Sequence, residues 1–252
     1  MSIALTQLVQ QINAWLNVEQ FQDYCPNGLQ VEGRDRVRRV VTGVTASQAL
    51  IDRAVATQAD AILVHHGYFW KGEAAPLIGY KGRRIKSLMQ ADISLLAYHL
   101  PLDEHPLWGN NQQLAIIMGW EVEGSMAGES WQYGLHGCLP TPLSAQQFAD
   151  RLAQRLGQPP LHLAGHQRPL KRIAWCTGAA HAGLVRAAEL GVDAYVTGEA
   201  SEQSLHLARE LGVDFFAAGH HATERGGVQA LGQVLAEQLG LEVEFVDLPN
   251  PV

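Results

Sequence analysis

Apolar residues along this chain follow two spacings, one typical of helices and one typical of buried strands. In the opening stretch MSIALTQLVQQINAWLN (1–17), apolar residues recur every three or four positions, with glutamine and asparagine between them. Short apolar runs such as AILV (61–64) and FFAA (215–218) instead predict buried strands. The first pattern predicts an amphipathic helix whose buried side is formed by Leu8, Val9, Ile12, Trp15 and Leu16.

Two segments of the chain resemble each other. They are RVVTGVTASQALIDRAVATQADAILVHHG (39–67) and RIAWCTGAAHAGLVRAAELGVDAYVTGEA (172–200). Each has an apolar strand, a Thr-Gly pair that we interpret as a turn, an alanine-rich helix and a second strand. Asp60 precedes the second strand of the first segment, and Asp193 holds that place in the other. A strand, a helix and a strand joined by tight turns form a β-α-β unit with parallel strands.

The similarity continues to the next strand in each half. In both halves an apolar strand ends in a histidine that stands four residues before an acid, His99 before Asp103 and His220 before Glu224. We therefore predict an α/β fold of two related α/β units that arose by internal duplication. Mixed sheets and flanking helices are expected, with a metal site in the crevice between the units. The units are expected to cover approximately residues 1–126 and 127–252.

Composition narrows the class of protein. With 252 residues, 47% apolar and 17% charged, the chain is typical of a globular protein with a substantial core. The net charge of −7 argues against general nucleic-acid affinity. No basic leader and no run of ~18 apolar residues is present, so we expect a cytoplasmic protein without a membrane span. The three cysteines lack CxxC spacing and are expected to be reduced thiols rather than metal ligands: Cys25, Cys138 and Cys176.

Histidines and acids follow the predicted strands at their carboxyl ends. His65 and His66 end one strand, and binding sites of open α/β sheets form at such ends. The alternative is a pair of core or turn histidines. Asp103 comes two residues after Pro101, so its segment is expected to be extended or turning. For Asp103 the alternative to metal ligation is turn capping.

The stretch GHHATER (219–225) offers a third group. If a helix begins here, His220 and Glu224 lie on one face and can reach one ion; the alternative is a helix cap favoured by the dipole. His221 is either a ligand or the neighbour of one. Together the strand ends supply three imidazoles and two carboxylates, whereas one ion needs only three or four ligands, so two ions are expected. Nitrogen and oxygen ligands suit Zn, Mn, Fe, Co or Ni.

Seven motifs, spread over nearly the whole chain, resemble those of the YbgI-type dinuclear metal-centre family, also named GTP cyclohydrolase I type 2-like proteins. The motifs are NGLQVEG (27–33), DAILVHHG (60–67), YKGRRIKSLMQADISLLAYHLPLD (80–103), GLHGCLPTPLSAQQFADRL (134–152), CTGAA (176–180), VDAYVTGE (192–199) and GHHATERGGVQALG (219–232). The resemblance implies a toroidal homohexamer. It also implies two divalent metal ions per subunit, held by His65, His66, Asp103, His220 and Glu224.

The function expected from this resemblance is that of a metal-dependent hydrolase. A metal-activated water would act on a nucleotide or another small anionic substrate, as the GTP cyclohydrolase label suggests. His99 and His221 are candidates for a proton shuttle or for orienting the ligands. Two alternatives remain: a non-catalytic hexameric metal-binding ring or scaffold, and a nucleic-acid-processing ring. Further candidates for lining the pocket or holding an anion are Asn27, Gln30, Lys81, Arg83 and Arg225.

Overall fold

The structure is a computed structural model that describes residues 1–129 and 131–252. Its strands are β1 Ile3–Ala4, β2 Gly28–Val31, β3 Arg36–Val37, β4 Arg39–Thr45, β5 Ala61–His66, β6 Ser94–Ala97, β7 Glu121–Ser125, β8 Leu135–Leu143, β9 Leu161–Leu163, β10 Leu170–Trp175, β11 Ala194–Thr197, β12 Asp214–Ala217 and β13 Glu242–Phe245. Its α-helices are α1 Leu5–Trp15, α2 Gln48–Ala56, α3 Gly79–Gln90, α4 Leu100–Glu104, α5 Asn110–Met118, α6 Ala145–Leu156, α7 Leu184–Glu189, α8 Ser204–Leu211 and α9 His220–Leu239. The fold is α/β, as predicted.

The chain divides into two compact units. The first contains Met1–Trp108 and Gly227–Pro249, and the second contains Gly109–Gly226 and Asn250–Val252. The predicted seam after residue 126 therefore falls inside the second unit. The boundary lies earlier because Met118 and Trp120 belong to a core of the second unit. Residues 227–249 return to the first unit because apolar side chains of α9 belong to its core, among them Val228, Leu231 and Leu235.

The first unit is built on a five-stranded sheet in the order β13-β4-β5-β6-β2. The strands β13, β4, β5 and β6 are parallel, and β2 is antiparallel at the edge. Alternate strand residues enter two different cores, which is typical of a sheet covered on both faces. Helices α1 and α9 contribute to one core, and α2 and α3 contribute to the other. The predicted amphipathic helix is confirmed as α1, with Leu5, Leu8 and Ile12 buried.

The second unit is built on a six-stranded sheet in the order β7-β8-β10-β11-β12-β9. Strands β10, β11 and β12 are parallel, while β9 and β8 are antiparallel neighbours on either side. Helices α5 and α6 contribute to one core and α7 and α8 to the other. Both units therefore contain a parallel β-α-β-α-β core with an antiparallel strand beside its last member, as the predicted duplication requires.

The two matching aspartates make the same hydrogen bonds in the two units. Asp60 Oδ2 accepts the backbone N–H groups of Arg38 and Arg39 at 2.8 and 2.9 Å. Asp193 Oδ2 accepts those of Lys171 and Arg172, both at 2.9 Å. Each carboxylate thus joins the start of one parallel strand to the start of the next. These matching hydrogen bonds explain why an aspartate occupies the same place in both segments.

Two local predictions were wrong. The Thr42-Gly43 pair lies inside β4 rather than at a turn. A Cβ on Gly43 would come within 2.8 Å of the Leu50 side chain, so the glycine leaves room for that side chain of α2 against the strand. The segment after His99 is the short helix α4 rather than extended chain. Pro101 stands in its first turn, where the missing N–H costs no helical hydrogen bond.

The strand register also refines the alignment of the two halves. Val64 pairs with Ala97 in the first sheet, and Thr197 pairs with Ala217 in the second. By this register His99 corresponds to Gly219, so His220 lies one residue further along than its apparent partner. The shared His-x-x-x-acid pattern therefore marks the same strand end in both units but not equivalent positions.

Candidate metal centre

The first cluster lies in the first unit, where strand β5 ends. His65 and His66 are the last two residues of β5, and their rings lie 4.5 Å apart between centroids. Helix α4 brings the carboxylate of Asp103 to 3.4 Å from His65 Nε2. His65 is fully buried, and the Asp103 side chain is 13% exposed. The structure thus brings three of the predicted ligands together at the carboxyl end of a strand.

The hydrogen bonds of His65 fix which of its nitrogens faces Asp103. The Nδ1 atom lies 2.9 Å from the carbonyl oxygen of Tyr98. Because a carbonyl only accepts, Nδ1 carries a hydrogen and donates it. In neutral histidine the Nε2 atom is then an acceptor, and it faces a carboxylate that is also an acceptor. Two facing acceptors are stabilised by a proton or a cation between them, so this pair has the chemistry of a metal site.

His66 and His99 complete the imidazole group of this cluster. One ligand nitrogen of each of His65, His66 and His99 lies within 4.8 Å of the others. The hydroxyl of Thr45 lies 3.4 Å from Nδ1 of His66. The ring of His99 lies 5.1 Å from that of His65. His99 is therefore close enough to act beside the predicted ligands, which is the place expected for a proton shuttle or an orienting group.

Asp23 was not predicted, and it holds His99 in place. The Nδ1 atom of His99 donates to Asp23 Oδ1 at 3.0 Å, and the side chain of Asp23 is only 3% exposed. Burial works to raise the pKa of Asp23, but hydrogen bonds from His99, Asn27 and the Leu100 backbone outweigh it and lower the pKa to about 2. Asp23 is therefore ionised and fixes the ring of His99 through its Nδ1 atom.

Cys25 lies beside this carboxylate. Asp23, Cys25 and His99 form a further group whose ligand atoms lie within 4.8 Å of one another. Burial, together with the negative charge of Asp23, raises the pKa of the Cys25 thiol to about 12. The thiol is accordingly protonated at neutral pH, and this opposes metal ligation through a thiolate.

The second cluster lies in the second unit, at the start of α9. His220 and Glu224 are four residues apart on this helix, and Nε2 of His220 lies 3.1 Å from Glu224 Oε2. On its other side, Nδ1 of His220 donates to Glu199 Oε1 at 2.5 Å. Glu199 follows β11 at the place that His66 holds in the first unit. The predicted sharing of one helix face is confirmed, and Glu199 is an orienting residue that lay outside the predicted ligand set.

The two carboxylates control the charge of His220. Burial works to lower the pKa of His220, but Glu224 and then Glu199 outweigh it and raise the pKa to about 9. In the metal-free protein His220 therefore carries a proton at neutral pH. A metal ion that binds Nε2 must displace this proton.

A glycine makes room for this cluster. Gly178 follows β10 with a φ of +69°, and a Cβ at this position would lie 2.1 Å from Glu224 Oε1 and 3.2 Å from His220 Nε2. Its N–H donates to Thr223 Oγ1 at 3.1 Å, and its carbonyl accepts from Thr197 Oγ1 at 3.0 Å. The loop backbone is thus fixed closely against the imidazole and the carboxylate. Gly178 belongs to the motif CTGAA, which carried part of the family resemblance, but the sequence did not indicate what this glycine does.

The remaining candidates make local contacts within their own units. The amide of Asn27 bonds Asp23 and the backbone N–H of His99, and so supports that pair. Gln30 accepts the N–H of Tyr68 and donates to Pro26. Lys81 pairs with Glu73 at 3.0 Å. Arg83 is exposed. Arg225 donates to the Leu156 carbonyl. The backbone N–H of the nearly buried His221 donates to the Val252 carbonyl. The shuttle role of His221 stays a prediction.

The fold and the two clusters define an α/β protein with candidate metal-ligand groups at its strand ends. The family model of Duf34/NIF3 (NGG1p interacting factor 3) matches residues 3–251. The chain belongs to this family, and the resemblance drawn from the sequence motifs is confirmed. Among the described residues, no helix has both the length and the apolar character needed to cross a membrane.

Named relatives agree with the family assignment. The chain is 56% identical to a GTP cyclohydrolase 1 type 2 homolog of Pseudomonas aeruginosa over 252 residues, which is all of both chains. A solved structure described as protein ybgI of unknown function is 49% identical, with a TM-score of 0.96 over 99% of this chain and 100% of that one. The crystal structure of TTHA1606 from Thermus thermophilus is 36% identical, with a TM-score of 0.88 over 99% and 100%.

Proposed function

We propose that this chain is a dinuclear metal-dependent hydrolase that acts on a nucleotide or another small anionic substrate. One observation carries the proposal. In each unit a histidine presents Nε2 to a carboxylate, at 3.4 Å for His65 and Asp103 and at 3.1 Å for His220 and Glu224. In each unit the opposite ring nitrogen is held from behind by an acceptor. This is the arrangement in which metal-ligating histidines are usually found.

The donor sets fit divalent ions. Imidazole nitrogens and carboxylate oxygens suit Zn, Mn, Fe, Co or Ni, and the Cys25 thiol beside the first cluster is kept protonated. Three imidazoles and two carboxylates exceed the three or four ligands that one ion takes, so we propose two ions. We propose His65, His66, Asp103, His220 and Glu224 as the protein ligands of the two ions.

Each protein group has a separate task in this proposal. Asp103 and Glu224 balance the charge of the ions, and the Tyr98 carbonyl and Glu199 fix the rings of His65 and His220. The bound ions would supply a water that loses its proton near neutral pH. His99, oriented by Asp23, takes up that proton at Nε2 and returns it to the leaving group. His221 is the second candidate for this proton transfer.

Metal content and turnover test the proposal together. The protein purified without added metal is expected to contain divalent ions, measured by mass spectrometry, and to reach two per chain when Zn²⁺ or Mn²⁺ is supplied. It is expected to hydrolyse at least one compound in a panel of nucleotides and phosphoesters. Asp103→Ala should lose both metal and turnover, whereas the exposed control Asp150→Ala should keep both. Full metal content and unchanged turnover in Asp103→Ala would refute the proposal.

The oligomeric state is a separate part of the proposal. We propose a homohexamer, which sedimentation equilibrium would report as a mass six times 27.5 kDa. If the ions are structural in a non-catalytic ring, chelation would reduce this mass or the melting temperature, and no panel compound would be hydrolysed. If they are catalytic, chelation abolishes turnover while the mass is retained.

A further inference from the structure

Two aromatic side chains stand beside the imidazole cluster of the first unit. Tyr24 and Trp70 come from different loops, and their ring centroids lie 5.8 Å apart at an angle of 36°. Each ring packs edge-to-face with the ring of His99, with 5.0 Å between centroids in both cases. Trp70 also lies 6.0 Å from the ring of His66. We refer to Tyr24 and Trp70 as the aromatic pair.

Backbone hydrogen bonds and an ion pair hold the loop of Trp70 in place beside Tyr24. The backbone N–H of Lys71 donates to the Tyr24 carbonyl at 2.7 Å and so joins the two loops. Glu73 accepts the backbone N–H groups of Phe69 and Trp70 at 3.0 and 3.3 Å. The nearly buried Lys81 in turn holds Glu73 at 3.0 Å. The position of Trp70 is thus fixed by an ion pair and three backbone hydrogen bonds.

This loop also contains backbone strain. Phe69 has a φ of +66°, a region that costs a residue with a side chain on the order of 1–2 kcal/mol. Such conformations persist where the surroundings enforce them, and they concentrate at ligand sites. The strain falls immediately before Trp70 and is stabilised by Glu73. The loop therefore holds the Trp70 ring in one position.

The surroundings select the type of ligand. Tyr24 remains 51% exposed although its ring packs against the buried His99. A large exposed aromatic surface next to a polar cluster is suited to stacking a planar ring. A cationic ligand is disfavoured, because Lys81 lies over the neighbouring Phe69 ring and the cluster itself is proposed to hold cations. The polar edge of a stacked ring would be placed next to His66 and His99.

We propose that Tyr24 and Trp70 stack a planar aromatic heterocycle of the substrate, such as a purine, and present its polar edge to the His66 and His99 side of the metal centre. That the ring belongs to a substrate rests on the proposed hydrolase function, whereas the binding of the ring to the aromatic pair does not. It defines the substrate as a compound that carries a heteroaromatic ring. Compounds with only a sugar or a phosphate lack the group that this surface would recognise.

Equilibrium binding to the full chain loaded with Zn²⁺ tests the proposal without turnover. Guanosine and adenosine are the ring-bearing probes, ribose is the probe without a ring, and choline is the cationic probe. Binding is measured by titration calorimetry or by ligand-observed NMR. We expect the two nucleosides to bind and ribose and choline to bind at least tenfold more weakly. Equal binding of nucleosides and ribose, a preference for choline, or no nucleoside binding at millimolar concentration would overturn the proposal.

Variants locate the binding surface. Trp70→Ala and Tyr24→Ala should each weaken nucleoside binding on the order of tenfold or more, since one stacking contact has about that effect. Trp70→Phe keeps a ring and should restore most of the affinity, which separates lost stacking from a disturbed loop. Tyr80→Ala is the control, because Tyr80 is an aromatic residue of the same unit that is 64% exposed. Nucleoside affinity that is unchanged in both alanine variants would overturn the proposal.

The outcomes also separate the two proposals. If the chain is no hydrolase, nucleosides still bind through the aromatic pair while no panel compound is hydrolysed. If the aromatic pair binds no ring, hydrolysis remains metal-dependent but Trp70→Ala has the same KM and kcat as the unmodified chain. A Trp70→Ala effect confined to KM supports stacking of the substrate.

Discussion

Replacement of Glu199 by glutamine should change how the second cluster binds metal as a function of pH. In the metal-free protein Glu224 and Glu199 raise the pKa of His220 to about 9. At pH 7 only about one molecule in a hundred then has a neutral His220. A metal ion that binds Nε2 releases this proton, so its apparent affinity should rise about tenfold per pH unit from pH 7 to pH 9 and level off above.

Glu199→Gln has two opposite effects on the apparent metal affinity of the second cluster. The loss of one carboxylate lowers the pKa of His220, so the proton competes less well and the affinity levels off at a lower pH. The loss of the anionic acceptor behind Nδ1 weakens the metal bond itself, for which changes of about 10–100-fold are usual. At pH 9 only the second effect remains, whereas at pH 7 the first partly offsets it. The deficit of the variant should therefore be larger at pH 9 than at pH 7.

Titration calorimetry with Mn²⁺ in two buffers of different ionisation enthalpy measures both affinity and proton release. The unmodified chain should release close to one proton from His220 at pH 7, and Glu199→Gln should release less. Glu202→Gln, which changes an acid that is 84% exposed, is the matched control and should behave as the unmodified chain. An affinity that is flat from pH 7 to pH 9, without proton release, would refute the assignment of His220 as a ligand.

Four further substitutions test other parts of the structure. Asp193→Ala, and likewise Asp60→Ala, should lower the free energy of unfolding by about 2–4 kcal/mol in chemical denaturation, because two backbone N–H groups lose a charged acceptor. Gly178→Ala should cost more in metal affinity and stability than Gly212→Ala, since both have positive φ but only the first meets a carboxylate. Asp23→Asn should remove about 2 kcal/mol of stability at pH 7, because the pKa of Asp23 is depressed to about 2 in the folded protein.

The pH dependence of the Asp23→Asn effect and the outcomes that would contradict these predictions follow from the same contacts. A depressed carboxyl pKa stabilises the fold above about pH 4 and loses this effect as the pH falls toward 2, so the difference between Asp23→Asn and the unmodified chain should vanish in acid. A difference as large at pH 2 as at pH 7 would contradict the charge argument. Equal metal binding in Gly178→Ala and Gly212→Ala would contradict the close approach to Glu224. Asp150→Ala, on an exposed helix face, should leave stability within about 0.5 kcal/mol.

Some features followed from the sequence because they depend on local order along the chain. The β-α-β pattern fixes parallel strands, and parallel strands place their carboxyl ends on one edge of a sheet. His65 and His66 could therefore be assigned to a strand end, and the spacing of His220 and Glu224 could be read as one helix face. The matching positions of Asp60 and Asp193 indicated the duplication for the same reason.

Other features were decided only by tertiary structure. Asp23 meets His99 across 76 positions of sequence, and no local pattern marks it. Glu199 lay outside the predicted ligand set, and only the folded chain brings its carboxylate to Nδ1 of His220, 21 positions further along. Contacts between distant segments depend on how the elements pack, and packing is set by the whole core rather than by any one segment. The sequence thus determined the type and the strand of each candidate ligand, and the folded chain decided which groups hold them in place.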